Sequence, residues 1–330
     1  MNDLAPVLQR FFTDKLMLQR QASPHTIIAY RDTFKLLLGF VQQSTGRHPA
    51  RMGIADLDAV TISKFLEHLQ TDRENTTSTR NTRLAAIHSF FGYAALHAPE
   101  HAALIQRVLA IPPKRVDRAI VSFLTREESD ALIGAPDLST WIGRRDHTLL
   151  TVAVQTGLRV SELTGLKLHD VQLGPGPHVR CIGKGRKERC TPLTGRTVTS
   201  LRNWLGERGG HDEDPLFPTC RGGPLSRDTV QHLVTNHAAT ATIGCPSMST
   251  KNVTPHTLRH TCAMALLHAG VDITVIALWL GHESTDATQI YLHADMTIKE
   301  RALARTSPST AGTLDRYKPP DTLLAFLDSL

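Results

Sequence analysis

The sequence lacks the features of secreted and membrane proteins. Its N-terminus, MNDLAPVLQRFFTDK, has neither a basic leading region nor a long apolar core, and no stretch of the chain approaches a membrane-spanning length. The cysteines are odd in number and form no CxxC pair, which argues against both a disulfide framework and a zinc site. We therefore expect a soluble, cytoplasmic protein without a membrane partner or a bound metal. The five cysteines are Cys181, Cys190, Cys220, Cys245 and Cys262.

Internal repeats and low-complexity tracts are also missing, and the excess of positive charge is small. With 330 residues the chain exceeds the usual size of one domain, so two folded units joined by a short linker are expected. The net charge of +6 favours a polyanionic partner, although such an excess is also common on solvated surfaces. Charge alone leaves both interpretations open.

Apolar residues at three- and four-residue steps predict an all-helical, four-helix domain over residues 1–112. Ser23 followed by Pro24 is typical of a helix start. On the fourth helix we expect Arg80 and Arg83 to face outward, where they contact either DNA phosphates or only solvent.

Two prolines and a basic cluster predict an interdomain linker at residues 113–124, in which Lys114 and Arg115 are candidates for contact with a phosphate backbone. A second domain over residues 125–305 starts with Thr125 as a helix cap ahead of two glutamates. The pattern HVRCIGKGRKERCTPL at 178–193 predicts a β-hairpin, with Cys181 and Cys190 as small core residues. The expected fold is thus mainly α with a small antiparallel sheet.

Several residues of the second half have the chemistry needed to cut a phosphodiester by nucleophilic attack without a metal. Bidentate guanidinium groups match the charged non-bridging oxygens of a pentavalent phosphorus better than ammonium groups do. A tyrosine nucleophile needs a nearby base or strong electrostatic help to attack at neutral pH, because its ordinary pKa is about 10. The leaving 5′ oxygen needs a proton, which a lysine at a hairpin tip can deliver. These residues are Arg159, Lys184, His256, Arg259, His282 and Tyr291.

The order and context of these residues resemble the tyrosine recombinase (phage integrase) family, nearest to Xer-type and mobile-element integrases. The matching stretches are QTGLRVSELTGLKLHDV, IGKGRKERCTPL, TPHTLRHTCAMALLHAGVDITVIALWLGHES and TQIYLHAD. The first half is similar to the family's helical core-binding (SAM-like) domain through SPHTIIAYRDTFKLLLGF and NTRLAAIHSFFGYA. The resemblance implies a core-binding domain followed by a tyrosine-recombinase catalytic domain.

By these motifs, the resemblance implies that Tyr291 attacks the scissile phosphate to give a 3′-phosphotyrosine and a free 5′ hydroxyl. Arg159, Arg259 and His282 would hold the phosphate, His256 would assist proton transfer, and Lys184 would be the general acid. Glu162 would support Arg159, and His260 is interpreted as a packing residue behind the site.

Two assignments have competitors. Lys187 lies in the same GKGRKER turn as Lys184, and together with Arg186 it is also a candidate DNA contact. Tyr30 and Tyr93 fit helical core faces, so Tyr317 is the other candidate nucleophile.

The resemblance also implies partners and assembly. We expect double-stranded DNA recombination sites as the substrate, no cofactor, and a tetramer on DNA, formed by this chain alone or with a related recombinase. The alternatives are a type IB topoisomerase-like nicking-closing enzyme and a catalytically inactive DNA-binding relative.

The chain continues for almost forty residues after Tyr291, which is longer than expected of a compact Xer-type protein. The pattern of residues 306–330 predicts a polar linker followed by a short helix that is too apolar to stand alone in water. We expect this extension to dock either on its own domain or, as our hypothesis, on a neighbouring protomer.

Overall fold

The computed structural model describes residues 4–116, 121–183 and 187–282, together with Thr288 and Tyr291. The chain divides into two compact units, Met1–Arg118 and Ala119–Leu330. Helices dominate both units, and the second also carries a three-stranded antiparallel sheet, so the predicted fold class is confirmed. No helix within the described ranges is long and apolar enough to cross a membrane. The extension at 306–330 lies outside the described residues.

The first unit is built around a cluster of aromatic rings. Phe11 is fully buried, with its ring centroid 5.6 Å from that of Phe90 and 5.7 Å from that of Tyr93. Tyr30 stacks on Phe11 at 6.3 Å, so both tyrosines lie on core faces as predicted. The helices are α1 (Leu4–Arg10), a π-helical continuation (Phe11–Gln19), α2 (Pro24–Thr45), α3 (Ala59–Thr71), α4 (Thr77–His97) and α5 (Ala102–Leu109).

Two features of the first unit differ from the sequence-based expectation. Helix α5 was not predicted; it places Ile105 and Val108 in the core, although it has only eight residues. The outward orientation expected for Arg80 is wrong, because its side chain is buried and donates hydrogen bonds to Asn81 and to the carbonyl of Pro112. Arg80 therefore joins α4 to the chain that follows α5, whereas Arg83 is half-buried.

Two helices of the second unit begin at threonine caps. Thr125 caps α6 and exchanges hydrogen bonds with Glu128. Thr254 caps α11, and Pro255 is the first residue of that helix. The helices are α6 (Arg126–Gly134), α7 (Trp141–Thr156), α8 (Val160–Gly165), α9 (Gly195–Arg208), α10 (Arg227–Gly244), α11 (Pro255–His268) and α12 (Ile273–Leu280).

The sheet contains β1 (Val171–Gln172), β2 (His178–Ile182) and β3 (Glu188–Pro192), in that order. The predicted hairpin is confirmed as β2–β3. Its register pairs Cys181 with Arg189 and Arg180 with Cys190, so the two cysteines point to opposite faces. Cys181 is a core residue as expected, but Cys190 is exposed, and the core placement predicted for it is wrong.

Helix α7 is the buried centre of the second unit and packs against α6, α9 and α11. It ends at Gly157, whose φ of +64° is the left-handed conformation that favours glycine. A Cβ atom at this position would lie 2.7 Å from Leu280 Cδ2 and 3.0 Å from Cys262 Cβ. The absence of a side chain at Gly157 therefore lets α7 end against α11 and α12.

We predict that Gly157→Ala destabilises the second unit by about 2–4 kcal/mol, through left-handed strain and overpacking. Gly206→Ala is the matched control, because Gly206 is an exposed helical residue with open space around its Cβ position. It should be neutral or stabilising by about 0.5–1 kcal/mol. All three tryptophans (Trp141, Trp204, Trp279) belong to the second unit, so fluorescence-detected urea unfolding reports on it alone. Equal stability of the two variants would contradict this packing argument.

Candidate functional site

Arg259 joins the ends of two helices at the centre of the site. Its guanidinium donates hydrogen bonds to the carbonyl of Gly157 at 2.7 Å and to the carbonyl of Leu280 at 2.6 Å. These carbonyls lie at the C-terminal ends of α7 and α12, where helical carbonyls lack partners within the helix. The residue is only 3% exposed. Its position is thus determined by two helix ends that are far apart in sequence.

Arg159 directly precedes α8 and is held on two sides. Its Nη1 donates to Glu162 Oε1 at 3.0 Å, and its Nη2 donates to the carbonyl of Gly281 at 3.1 Å. Glu162 Oε2 also accepts the backbone N–H of Arg159 at 2.7 Å. The side chain of Arg159 remains 33% exposed, so part of its guanidinium faces solvent. The predicted support of Arg159 by Glu162 is therefore present as direct contacts.

Arg189 is a site residue that the sequence reasoning missed. It makes a bidentate ion pair with Glu162, with N–O distances of 3.0 and 2.7 Å. In the sequence it is the last residue of the basic stretch GKGRKER, of which only Lys184, Arg186 and Lys187 were candidates. Strand alternation offered a signal, because the partner of a core residue across a hairpin lies on the same face, and Arg189 pairs with the buried Cys181.

The histidines and Tyr291 complete the cluster. The hydroxyl of Tyr291 lies 3.0 Å from His260 Nδ1, and the His256 and His260 ring centroids are 4.1 Å apart. His260 thus contacts the candidate nucleophile directly, which is a closer role than the packing role expected for it. Tyr291 is only 1% exposed in this arrangement.

His282 has a partner that the sequence did not indicate. Its Nδ1 lies 2.7 Å from Thr288 Oγ1. Thr288 and Tyr291 are both helical. This contact connects the histidine that follows α12 to the element that bears Tyr291.

Burial and neighbouring cations together shape the protonation of the site. Burial lowers the pKa values of His260 and His282 to about 4, and the positive charge of Arg259 adds to both shifts. The pKa of His256 is lowered for the same reasons. Burial and the charge of Arg159 lower the pKa of Arg259 to about 10. Burial raises the pKa of Tyr291 to about 12 against the opposing effect of Arg259. At neutral pH the site therefore holds neutral histidines beside cationic arginines.

The structure brings together Arg159, Glu162, Arg189, Arg259, His256, His260, His282 and Tyr291. Lys184 and Arg186 lie outside the described residues, and Lys187 is exposed beside them. In the first unit, Lys114 and Arg115 are exposed, and the ammonium of Lys114 donates to Gln70 Oε1 at 2.6 Å. Across the described ranges, no group of three or more His, Cys, Asp or Glu side chains is arranged to hold a metal ion.

Comparisons with known proteins match both halves of the chain. The model of the phage integrase family matches residues 122–297, and that of the phage integrase N-terminal SAM-like domain matches residues 9–97. A Sinorhizobium fredii protein named as integrase/recombinase y4rC is 56% identical over 327 residues, which cover 99% of this chain and 98% of that protein. Tyrosine recombinase XerD of Pseudomonas aeruginosa is 34% identical over 297 residues, which cover 87% of this chain and 92% of XerD.

The fold is also similar to that of solved structures. The XerH site-specific recombinase bound to palindromic difH substrate, in a post-cleavage complex, superposes with a TM-score of 0.68 at 22% identity. The similarity covers 87% of this chain and 81% of the XerH chain. At this level of identity the comparison supports the fold.

We predict that the second unit loses stability as the pH falls from about 6.5 towards 4. The unfolded chain protonates its histidines near pH 6.5, whereas folded His260 and His282 stay neutral down to about pH 4. Below pH 6.5 the unfolded state therefore binds more protons, and the free energy of unfolding decreases. Urea unfolding followed by tryptophan fluorescence at pH 7, 6 and 5 measures the slope.

The double variant His260→Asn, His282→Asn tests the origin of this slope. Its stability should depend less on pH between 6.5 and 5, because two groups that cause the dependence are gone. Ordinary carboxyl groups titrate mainly below this window. An unchanged slope would assign the effect to other groups.

Proposed function

The chain belongs to the phage integrase family of tyrosine recombinases, and from this premise we propose that it exchanges DNA strands through a 3′-phosphotyrosine intermediate on Tyr291. The observation that carries the proposal is the position of the Tyr291 hydroxyl. It lies 3.0 Å from His260, within a cluster that contains Arg159 and Arg259. A phenol beside a proton acceptor and two guanidinium groups has the parts needed for attack on a phosphodiester.

In the proposed cleavage step, Tyr291 Oη forms a bond to the scissile phosphorus and the bond to the 5′ oxygen breaks. Negative charge grows on the two non-bridging oxygens, which Arg159, Arg259 and His282 stabilise. Both guanidinium groups are held by carbonyl oxygens before DNA arrives. Such preorganised groups stabilise developing charge at little reorganisation cost.

Two protons move in this step. The phenol proton passes to the neutral histidine pair, with His260 in contact with the hydroxyl and His256 assisting the transfer. Lys184 gives a proton to the leaving 5′ oxygen. Because Tyr291 is buried and its pKa is raised, DNA binding has to expose the hydroxyl and bring the phosphate to the arginines. This requirement protects the nucleophile when no substrate is present.

The covalent bond conserves the energy of the phosphodiester, so a 5′ hydroxyl of the partner strand can reverse the step without ATP. We propose that both units bind a DNA recombination site, with 1–112 as the core-binding domain and 125–305 as the catalytic domain. Four protomers would hold two sites in a synapse. Contacts to phosphates by Lys114, Arg115 and Arg83 would make binding depend strongly on salt.

We predict that a suicide substrate, nicked near the scissile phosphate, traps a covalent protein–DNA adduct visible by denaturing electrophoresis. Tyr291→Phe should abolish the adduct, because it removes the attacking oxygen. Tyr317→Phe is the matched control and should retain it. An adduct that survives in Tyr291→Phe and disappears in Tyr317→Phe would move the nucleophile to Tyr317. Adduct formation without strand exchange between two sites would favour the nicking-closing alternative.

The general acid can be identified by changing the leaving group. We predict that Lys184→Ala lowers the cleavage rate on normal DNA by about 10²–10⁴-fold, the usual contribution of general acid catalysis. With sulfur in place of the 5′ bridging oxygen, the leaving group needs no proton, and the variant should approach the wild-type rate. Lys187→Ala should cleave both substrates at nearly the wild-type rate. If Lys187→Ala instead cleaves normal DNA slowly and the sulfur-containing substrate at nearly the wild-type rate, the general acid is Lys187.

A further inference from the structure

The carboxylate of Glu162 is shared by two guanidinium groups. Its Oε1 accepts hydrogen bonds from Arg159 and Arg189, both at 3.0 Å. Its Oε2 accepts from Arg189 and from the Arg159 backbone, both at 2.7 Å. The side chain of Glu162 is only 4% exposed and that of Arg189 is 12% exposed, so water screens these contacts weakly.

We propose that Arg189 is a positioning residue that neutralises Glu162, so that the charge of Arg159 stays available to the scissile phosphate. This inference rests on the proposed function, in which Arg159 binds that phosphate. If Arg189 were absent, Arg159 would be the one described cation left in direct contact with the buried carboxylate of Glu162. The carboxylate would then attract the guanidinium of Arg159 more strongly. With Arg189 present, Glu162 can orient Arg159 through the backbone and one Nη group without consuming its charge.

The charge balance of the site supports this role. Among the described residues, Arg159 and Arg189 contact the carboxylate of Glu162, and Arg259 interacts with it electrostatically, which leaves an excess of positive charge for the two non-bridging oxygens. Burial works to raise the pKa of Glu162, but the hydrogen bonds from Arg189 and from the Arg159 backbone outweigh it and hold the pKa below its usual range. Glu162 is therefore ionised at neutral pH and needs a permanent countercharge.

Two glycines next to Arg189 leave space for its guanidinium. A Cβ atom at Gly281 would lie 2.7 Å from its Nη1, and a Cβ atom at Gly183 would lie 3.0 Å from the same atom. Gly281 also offers its carbonyl to Arg159 and directly precedes His282. Arg189 thus connects the hairpin β2–β3 with the start of α8 and the end of α12.

The test is a double-mutant cycle on the rate of covalent adduct formation with the suicide substrate. Arg189→Ala should lower this rate by about 10–100-fold, as is usual for residues that orient a reactive group. In a Glu162→Gln background the same substitution should lower the rate of adduct formation by less than about 3-fold, because there is no carboxylate left to neutralise. Arg189→Lys should fall between wild type and Arg189→Ala, since it keeps the charge but loses the bidentate geometry.

Arg144→Ala is the matched control. Arg144 also makes a bidentate pair with Glu207, more exposed than that of Arg189, with N–O distances of 2.8 and 2.6 Å, near the opposite end of α7 from the site. Its loss should leave the cleavage rate unchanged. Tryptophan fluorescence verifies that each variant is folded before its rate is measured.

A neutral scissile phosphate gives a second readout that needs no Glu162 variant. A methylphosphonate at this position has lost the anionic oxygen charge, so its cleavage depends less on the free charge of Arg159. The rate loss caused by Arg189→Ala should then shrink by about 10-fold or more relative to normal DNA. If the role of Arg189 were purely structural, Arg189→Ala would lower the cleavage rate by the same factor on both substrates.

The outcomes separate this inference from the proposed function. If the wild-type protein forms no adduct that depends on Tyr291, both are overturned. If wild type and Arg189→Ala form the adduct at equal rates, only the role of Arg189 is overturned. Arg189→Ala could instead lower the rate of adduct formation by the same factor in the wild-type and Glu162→Gln backgrounds, and by the same factor on normal and methylphosphonate DNA. That result would mean that Arg189 only packs the hairpin.

Discussion

The C-terminal end of α7 is the point on which the site depends. The last carbonyl groups of α7 have no hydrogen-bond partner within the helix. Three side chains from α11 and α12 donate hydrogen bonds to them. Cys262 donates to the carbonyl of Gln155, Trp279 to that of Thr156, and Arg259 to that of Gly157. The negative end of the helix dipole also favours the cationic Arg259. One set of hydrogen bonds therefore ends a core helix and positions Arg259, the group that we propose binds the scissile phosphate.

The same arrangement explains why the site can hold so much positive charge. Arg259 and Arg159 are both bound by backbone carbonyls, which carry partial negative charge without neutralising them. Glu162 supplies the full negative charge and is itself matched by Arg189. The histidines remain neutral because burial and these cations oppose their protonation. The resulting cluster is suited to bind an anion and to accept a proton at neutral pH.

The first unit contributes a different kind of surface. Its aromatic core is closed by α5, and the guanidinium of Arg80 is used to bind the chain that leaves this helix. The exposed cations near the end of the unit are Lys114 and Arg115. We propose that basic side chains at this place position DNA through its phosphates, while the candidate reactive groups belong to the second unit.

The sequence by itself determined the family, the mainly helical fold and most helix boundaries, because caps, glycine stops and apolar periodicity are local signals. Thr125, Thr254 and Gly157 begin or end helices as their residue types predict. The motifs also named the residues that come together in the site, with the exception of Arg189. The pattern of residues 178–193 predicted the hairpin β2–β3. Strand β1 has only two residues and is too short to show an alternating pattern.

The tertiary structure alone decided which of these side chains touch. The ion pair of Arg189 with Glu162 spans 27 positions, and the bond from Arg259 to Gly157 spans 102. Burial of Arg80 and exposure of Cys190 likewise depend on what packs against each residue. Partners, burial and pKa shifts arise from contacts between distant segments. No local pattern encodes them, because each depends on how several helices and a hairpin pack around the end of α7.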